Sequence, residues 1–212
     1  MPEPVKPRRY DSPRRRAQAE ATRSEILDAA ERLFVRDGYP ATTMAAIAKE
    51  AGVALKTVYV AFETKSGVLR ALWNLRVRGD QADVPITDRA WYREVLAEPD
   101  AQRALRLGAH EARLVKERAG GLFGVLRSAA DADPDIAALW ERINREYHAN
   151  QEAVVRALAE QGALRLDARE ATDILWTLNH PNTWQLLVRE RGWTPEAYER
   201  WSADAACSQL LG

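Results

Sequence analysis

The chain is poor in the residues from which covalent and metal-based sites are built. Of its 212 residues one is cysteine, Cys207, so no intramolecular disulfide can close, and three are histidine. Those three, His110, His148 and His180, stand apart with no metal-ligand spacing among themselves or with Cys207. No apolar run approaches about 18 residues, which argues against a membrane span. The N-terminal residues lack a signal-peptide apolar region, so a cytoplasmic protein is the default expectation. No strand-type alternation and no internal repeat is visible. Asp131, Asp133 and Asp135 imitate the opening of a calcium loop, but Ile136 sits where that loop's sharp turn needs glycine. No serine stands in a nucleophile-elbow pattern. Cys207 reads as a buried apolar thiol of the last helix. The residues therefore point to no catalytic site, no bound metal and no cofactor, and the chain is not expected to be an enzyme.

Net charge is also absent as a whole, yet not in parts. Lys and Arg number 31, as do Asp and Glu. From Met1 to Arg78 there are 15 basic and 9 acidic residues, a difference of +6; the remainder, 16 against 22, gives −6. Such asymmetry is the electrostatic footprint of a nucleic-acid domain joined to a non-binding one. Hydrophobic residues make up 46% of the chain, enough for a packed core, and the seven Trp suit a lined cavity or a substantial interface.

The most structured pattern is residues 41–65. Met44, Ile47, Ala48 and Ala51 fall at helical spacing behind a Thr pair, and Gly52 stops the run. A second short run follows, with Val58 and Phe62 four apart on one face and Lys56, Thr57 and Tyr59 on the other. Two short helices about a Gly-containing turn form a helix-turn-helix, whose second helix enters the major groove. Helices this short are marginal alone. Support comes from a helix over about 18–36, with Ile26, Leu27, Ala30, Leu33 and Phe34 in one stripe and Asp37-Gly38 as its end. Another helix is expected over about 65–76.

The segment 26–69 resembles the DNA-binding domain of tetracycline-repressor-type (TetR-family) transcriptional regulators. The resemblance is carried by Ile26, Ala29, Ala30, Leu33 and Phe34, then Gly38-Tyr39, Thr42-Thr43, Ile47-Ala48 and Ala51-Gly52-Val53. It continues through Thr57, Tyr59, Phe62, Lys65 and Leu69. One departure is Ala54, where family members usually carry a capping Ser; a missing cap typically costs about 1 kcal/mol. The resemblance supports Thr42, Thr43, Thr57, Tyr59 and Lys65 as phosphate contacts. Lys56 suits guanine, and Leu55, Thr57, Val60 and Ala61 suit thymine methyls. Residues 1–18 read as a basic flexible arm carrying Arg14, Arg15 and Arg16, either reaching DNA or serving as a solubilising tail. Residues 19–78 read as the helix-turn-helix domain with its linking helix.

Residues 79–212 read as helical throughout, after a polar connection over 79–87. Helices are expected over about 88–96, 99–118 and 122–130, the last two punctuated by Gly120-Gly121. Asp133-Pro134 and Thr194-Pro195 are cap-then-Pro starts of helices reaching to about Gln161 and Gln209. A helix from Asp167 is interrupted by Pro181 and resumes to Arg191. The fold class is thus all-α. The family resemblance implies a small-molecule cavity in this region, with Trp91, Tyr92, His110, Leu114, Phe123, Trp140, Tyr147, Trp176 and His180 as candidates. It also implies a homodimer made by pairing the last two helical segments, through Leu175, Leu178, Trp184, Leu187, Tyr198, Trp201 and Leu210. The function it implies is a repressor that releases double-stranded operator DNA when a small, mostly apolar effector binds. A constitutive DNA-binding protein without an effector is the competing reading.

Overall fold

The computed structural model describes residues 13–79 and 85–212. Ten α-helices are found there: α1 (Pro13–Asp37), α2 (Met44–Glu50), α3 (Leu55–Phe62), α4 (Lys65–Arg78), α5 (Ala90–Ala97), α6 (Ala101–Ala130), α7 (Pro134–Glu160), α8 (Ala168–Asn179), α9 (Pro181–Trp184) and α10 (Pro195–Leu210). A 3-10 turn at Ile86–Asp88 precedes α5, and α9 runs into a π-helical turn, Gln185–Glu190. Among the described residues, strand pairing is confined to a bridge between Leu164 and Leu211. The chain divides into two compact units, 1–68 and 69–212, with the division falling inside α4.

In the first unit, the stripe Ile26, Leu27, Ala29, Ala30, Leu33 and Phe34 is buried along α1. Gly38 ends that helix with φ +82°, and its N–H donates to the Phe34 carbonyl at 3.0 Å. The conformation is one that glycine adopts without a Cβ penalty. Thr43 caps α2 by accepting from the Ala46 N–H at 3.1 Å. Met44, Ile47 and Ala48 are the buried side of α2, and Val58 and Phe62 that of α3. The guanidinium of Arg23 lies 4.2 Å from the centre of the Phe62 ring and donates to the Ala61 carbonyl at 2.9 Å, tying α1 to the end of α3. As Ala54 implies, α3 has no side-chain cap.

In the second unit α6 packs against α5, α7 and α10, and α7 packs against α8. The Asp133 side chain caps α7, Asp167 caps α8 and Thr194 caps α10, as their sequence signals indicate. The Pro181 break is chemically complete. His180 takes extended angles (φ −61°, ψ 141°), the region favoured before proline. The Tyr198 hydroxyl donates to the Leu178 carbonyl at 2.9 Å and the Tyr147 hydroxyl to the Asn179 carbonyl. Two carbonyls that a broken helix leaves without intrahelical donors are thereby satisfied.

Three expectations are corrected. Helix α1 begins at Pro13 rather than near residue 18, so Arg14, Arg15 and Arg16 are helical and exposed rather than part of an extended arm. The rest of that arm, residues 1–12, lies outside the described residues, as does 80–84 of the expected connection. Helix α6 continues unbroken through Gly120-Gly121. The glycine serves packing there: a Cβ on Gly120 would sit 3.1 Å from the Trp184 indole nitrogen. Cys207 is half-buried, not core, with its thiol 3.9 Å from the Gln102 carbonyl.

Candidate nucleic-acid interface and buried cavity

The outer side of α3 presents Leu55, Lys56, Thr57, Tyr59 and Val60 to solvent, while Val58 and Phe62 anchor its inner side. Val60 is 76% and Leu55 42% exposed, so apolar groups stand in water where packing alone would bury them. Thr43 is exposed beside them at the start of α2. Thr42, assigned to phosphate from the sequence, is instead 2% exposed and donates its hydroxyl to the Gly38 carbonyl at 2.8 Å. It is an internal brace of the α1–α2 turn. Lys65 is half-buried: its Nζ donates to the Tyr39 carbonyl at 2.8 Å and lies 4.1 Å from the centre of the Tyr39 ring. It fastens the start of α4 to the residue after Gly38. Ser66, which sequence reasoning passed over, is buried, its hydroxyl 2.9 Å from that of Thr64. Thr64 in turn accepts from the Gly67 N–H at 2.9 Å, capping α4.

The second unit holds a partly open cavity of about 140 Å³. Five of the nine ligand candidates line it: Trp91, Tyr92, Phe123, Trp140 and Tyr147. The other four, His110, Leu114, Trp176 and His180, do not. His110 faces Glu199 at 3.2 Å, a carboxylate that Arg113 also holds. Trp176 packs its ring on His180, centroids 4.6 Å apart, and His180 Nδ1 accepts from the Asn182 N–H at 3.1 Å as the cap of α9. Burial, with Lys116 and Arg127 nearby, holds the His180 pKa below the usual imidazole value. Wall residues that sequence reasoning missed include Trp73, which meets Phe123 edge-on at 4.8 Å, and Lys116.

Lys116 is the cavity's one unusual wall residue. It is 2% exposed, and its Nζ donates to the Ala112 carbonyl at 3.3 Å. It lies 5.5 Å from the centre of the Tyr198 ring. Among the described residues no carboxylate pairs with it. Burial pushes its pKa down to about 7. The legible signal was its register: Ala109, Ala112, Lys116 and Ala119 follow one helical stripe whose other members are small and apolar.

The expected dimer residues divide unevenly. Leu175, Leu178, Trp184, Tyr198 and Leu210 are buried within their own chain and have no surface left for a partner. Trp184 meets Tyr198 edge-on at 5.1 Å, and Leu175, Leu178 and Leu210 belong to the core that also holds Val155 and Leu158. Leu187 and Trp201 are half-buried. The apolar surface that is exposed here is that of Leu186, at 54%, and Trp193, at 37%, whose ring meets Trp201 at 6.1 Å. Among the described residues no helix is long and apolar enough to cross a membrane, and no cluster of three His, Cys, Asp or Glu side chains could hold a metal.

The family described as bacterial regulatory proteins, tetR family, matches residues 26–72. An uncharacterized HTH-type transcriptional regulator of Pseudomonas putida, TtgW, is 38% identical over 90 residues, which is 40% of this chain and 66% of that protein. The chain spans from 27% to 66% of the length of the curated relatives that head the comparison. Among solved structures, a putative transcriptional regulator from Saccharomonospora viridis in complex with choline superposes with a TM-score of 0.70 at 20% identity, covering 91% of this chain and 99% of that one. NalD, the secondary repressor of an efflux pump in Pseudomonas aeruginosa, superposes with a TM-score of 0.69 at 24% identity, covering 91% and 98%. The match over residues 26–72 and the curated relatives that share it place the chain in the TetR family of bacterial regulatory proteins.

Proposed function

We propose that the protein is a homodimeric, ligand-responsive repressor that binds double-stranded operator DNA through α3. The observation that carries this reading is the outward face of α3, where Leu55, Lys56, Thr57, Tyr59 and Val60 stand exposed on a helix held by Val58 and Phe62. Lys56 is the base-reading donor, and the aliphatic groups suit thymine methyls. Thr43 and Tyr59 contact phosphate, and Arg14, Arg15 and Arg16 add charge from the start of α1. Lys65 and Thr42 act by holding the turn that presents these groups. Two-fold pairing through Leu186, Leu187, Trp193 and Trp201 would give a dimer suited to an operator whose two half-sites lie about 34–36 Å apart, one turn of DNA.

The cavity of the second unit is the effector site in this reading. It is mostly aromatic and aliphatic with a few polar groups, the usual make-up of a small-molecule site. The bound choline of the Saccharomonospora viridis protein and the repressor role of NalD support the assignment. A ligand changes DNA affinity only through a difference in its affinity for the two states, so occupancy must favour the released state. Selection of binding sites from a random DNA pool tests the first part. The expected outcome is an enriched sequence with two-fold symmetry, bound with a steep salt dependence. Failure of any sequence to enrich would remove the operator-binding role.

A further inference from the structure

We propose that the effector of this cavity is a monocyclic aromatic carboxylate, whose anionic group pairs with the Lys116 ammonium while its ring lies among Trp73, Trp91 and Trp140. The inference rests on reading the cavity as the effector site. It adds the charge, the size and the binding group of the ligand.

Three observations converge. The space, about 140 Å³, matches the roughly 150 Å³ in which a buried apolar cavity holds a benzene-sized ring. The walls are aromatic, so they suit a flat apolar body. One wall carries a buried amine with unused donors. An ammonium has three N–H groups, and Lys116 places one on the Ala112 carbonyl, at a long 3.3 Å. Burying a cation without a counter-charge is costly, and a ligand that brings the counter-charge removes that cost on binding.

The neighbouring charges leave this role open. On α6, Arg113 holds Glu117 at 2.7 Å and also Glu199 of α10. On α7, Glu146 borders the cavity, but its side chain is 68% exposed and turned toward Arg142, 3.8 Å away. Tyr147 and Tyr198, from α7 and α10, are pushed to higher pKa by burial and stay neutral. His180, at the end of α8, is held below its usual pKa and is neutral above it. Lys116 is thus the group in this wall that titrates near neutrality.

The test is calorimetry on the full chain with sodium benzoate and its neutral counterpart benzamide. Benzoate should bind at least about tenfold more tightly than benzamide. Lys116→Met, which keeps a linear side chain and removes the amine, should lose about 10- to 100-fold in benzoate affinity and none for benzamide. Benzoate binding should also take up protons. Near pH 8.5 the free amine is mostly neutral and is recharged in the complex, so uptake approaches about one proton. Near pH 6.5 it falls toward zero. Repeating the titration in buffers of different ionisation enthalpy reads this on the unmodified protein, and so decides the matter even where the variant folds poorly. Equal affinity for acid and amide, an unaffected Lys116→Met, or no proton uptake overturns the proposal. If benzamide alone binds, the effector cavity stands and the anion falls. If neither probe binds, both fall.

Discussion

The two compact units place their chemistry on opposite sides of their surfaces. In the first, polar side chains inside are few and short-ranged: Thr42 braces Gly38 and Ser66 sits beside Thr64. Its exceptional groups are apolar residues left in water, such as Val60 and Leu55 on α3. In the second, which also exposes Leu186 and Trp193, the more numerous exceptions are polar residues taken out of water: Lys116, Asn179, Thr172 and Ser202. Asn179 and Ser202 bond each other at 3.2 Å, and Thr172 donates to the Ala168 carbonyl at 2.7 Å. Lys116 stays under-satisfied. A unit that reads DNA needs an external surface with a rigid support, whereas one that captures a small molecule needs an internal group with an unmet demand. Under the proposed function, each unit departs from ordinary inside-outside sorting where its role would lie, and the departures are opposite.

The largest expected effect breaks the comparison at the support. Phe34 is fully buried and stacks on Tyr39, ring centroids 5.6 Å apart. Phe34→Ala should cost about 3–5 kcal/mol through lost burial and the cavity left behind. Hydrogen exchange should accelerate across α1, α2 and α3 while α6 and α7 keep their protection. Equal acceleration in both units would show that they unfold as one.

The next effect belongs to the second unit and has a defined pH sign. The Lys116 pKa falls from 10.5 to about 7 on folding, so between those values the unfolded chain binds more protons. Stability therefore rises with pH in that window, by at most about 1.4 kcal/mol per unit. The raised pKa of Cys207, and those of Tyr147 and Tyr198, act in the opposite direction near and above their ordinary values. From about pH 7 to 9 the wild-type chain should gain roughly 2 kcal/mol. Lys116→Met should be more stable than wild type near neutrality and nearly flat over the same range. Urea unfolding at several pH values reads both, and a wild-type profile as flat as the variant's would place the amine in water.

These contrasts also explain what the sequence made legible. The helix-turn-helix is a local pattern: Met44, Ile47, Val58 and Phe62 declare their inner faces within one or two turns, and Gly38 and Gly52 mark its corners with positive φ. Thr42 and Thr43 show the limit of such reading. They are adjacent and chemically identical, yet one faces the α1–α2 turn and the other solvent. The cavity depends on α4 to α9, whose lining residues run from Trp73 to Pro181. A lysine on a helix reads as solvated by default; the small apolar stripe around Lys116 points to burial, and the packing of distant segments completes it. Tyr198 and Trp184 suggested a partner surface because they lie on apolar faces near the chain's end. Instead Tyr198 satisfies a carbonyl that the Pro181 break sets free, and Trp184 fills the space beside Gly120.

A smaller effect sharpens the comparison by stabilising one unit alone. Ala54 already has the extended angles of a helix N-cap, φ −67° and ψ 142°, but no side-chain oxygen. Ala54→Ser should add about 1 kcal/mol by accepting from a first-turn N–H of α3. Thermal unfolding followed by exchange should show the gain in residues 44–62 and no change in α7. A loss of stability would mean that the serine hydroxyl cannot reach those N–H groups.

The smallest expected effect separates positioning from reading on α3. Tyr59 is 48% exposed on the outward side of α3, which also carries Lys56 and Val60. Tyr59→Phe removes one donor and little buried surface, so the fold should be unaffected. A bond from an uncharged hydroxyl at so solvent-exposed a site is screened to about 0.5–1.5 kcal/mol even toward an anionic phosphate, so affinity should drop roughly two- to tenfold. Because phosphates are the same at every base pair, the loss should be equal on a selected operator and on a scrambled duplex. No cation is removed, so the salt slope should stay constant, whereas Lys56→Ala should change specificity at one base position. Fluorescence anisotropy titrations on both duplexes at several salt concentrations resolve the two outcomes. A loss confined to the selected operator would move Tyr59 from the backbone to the bases.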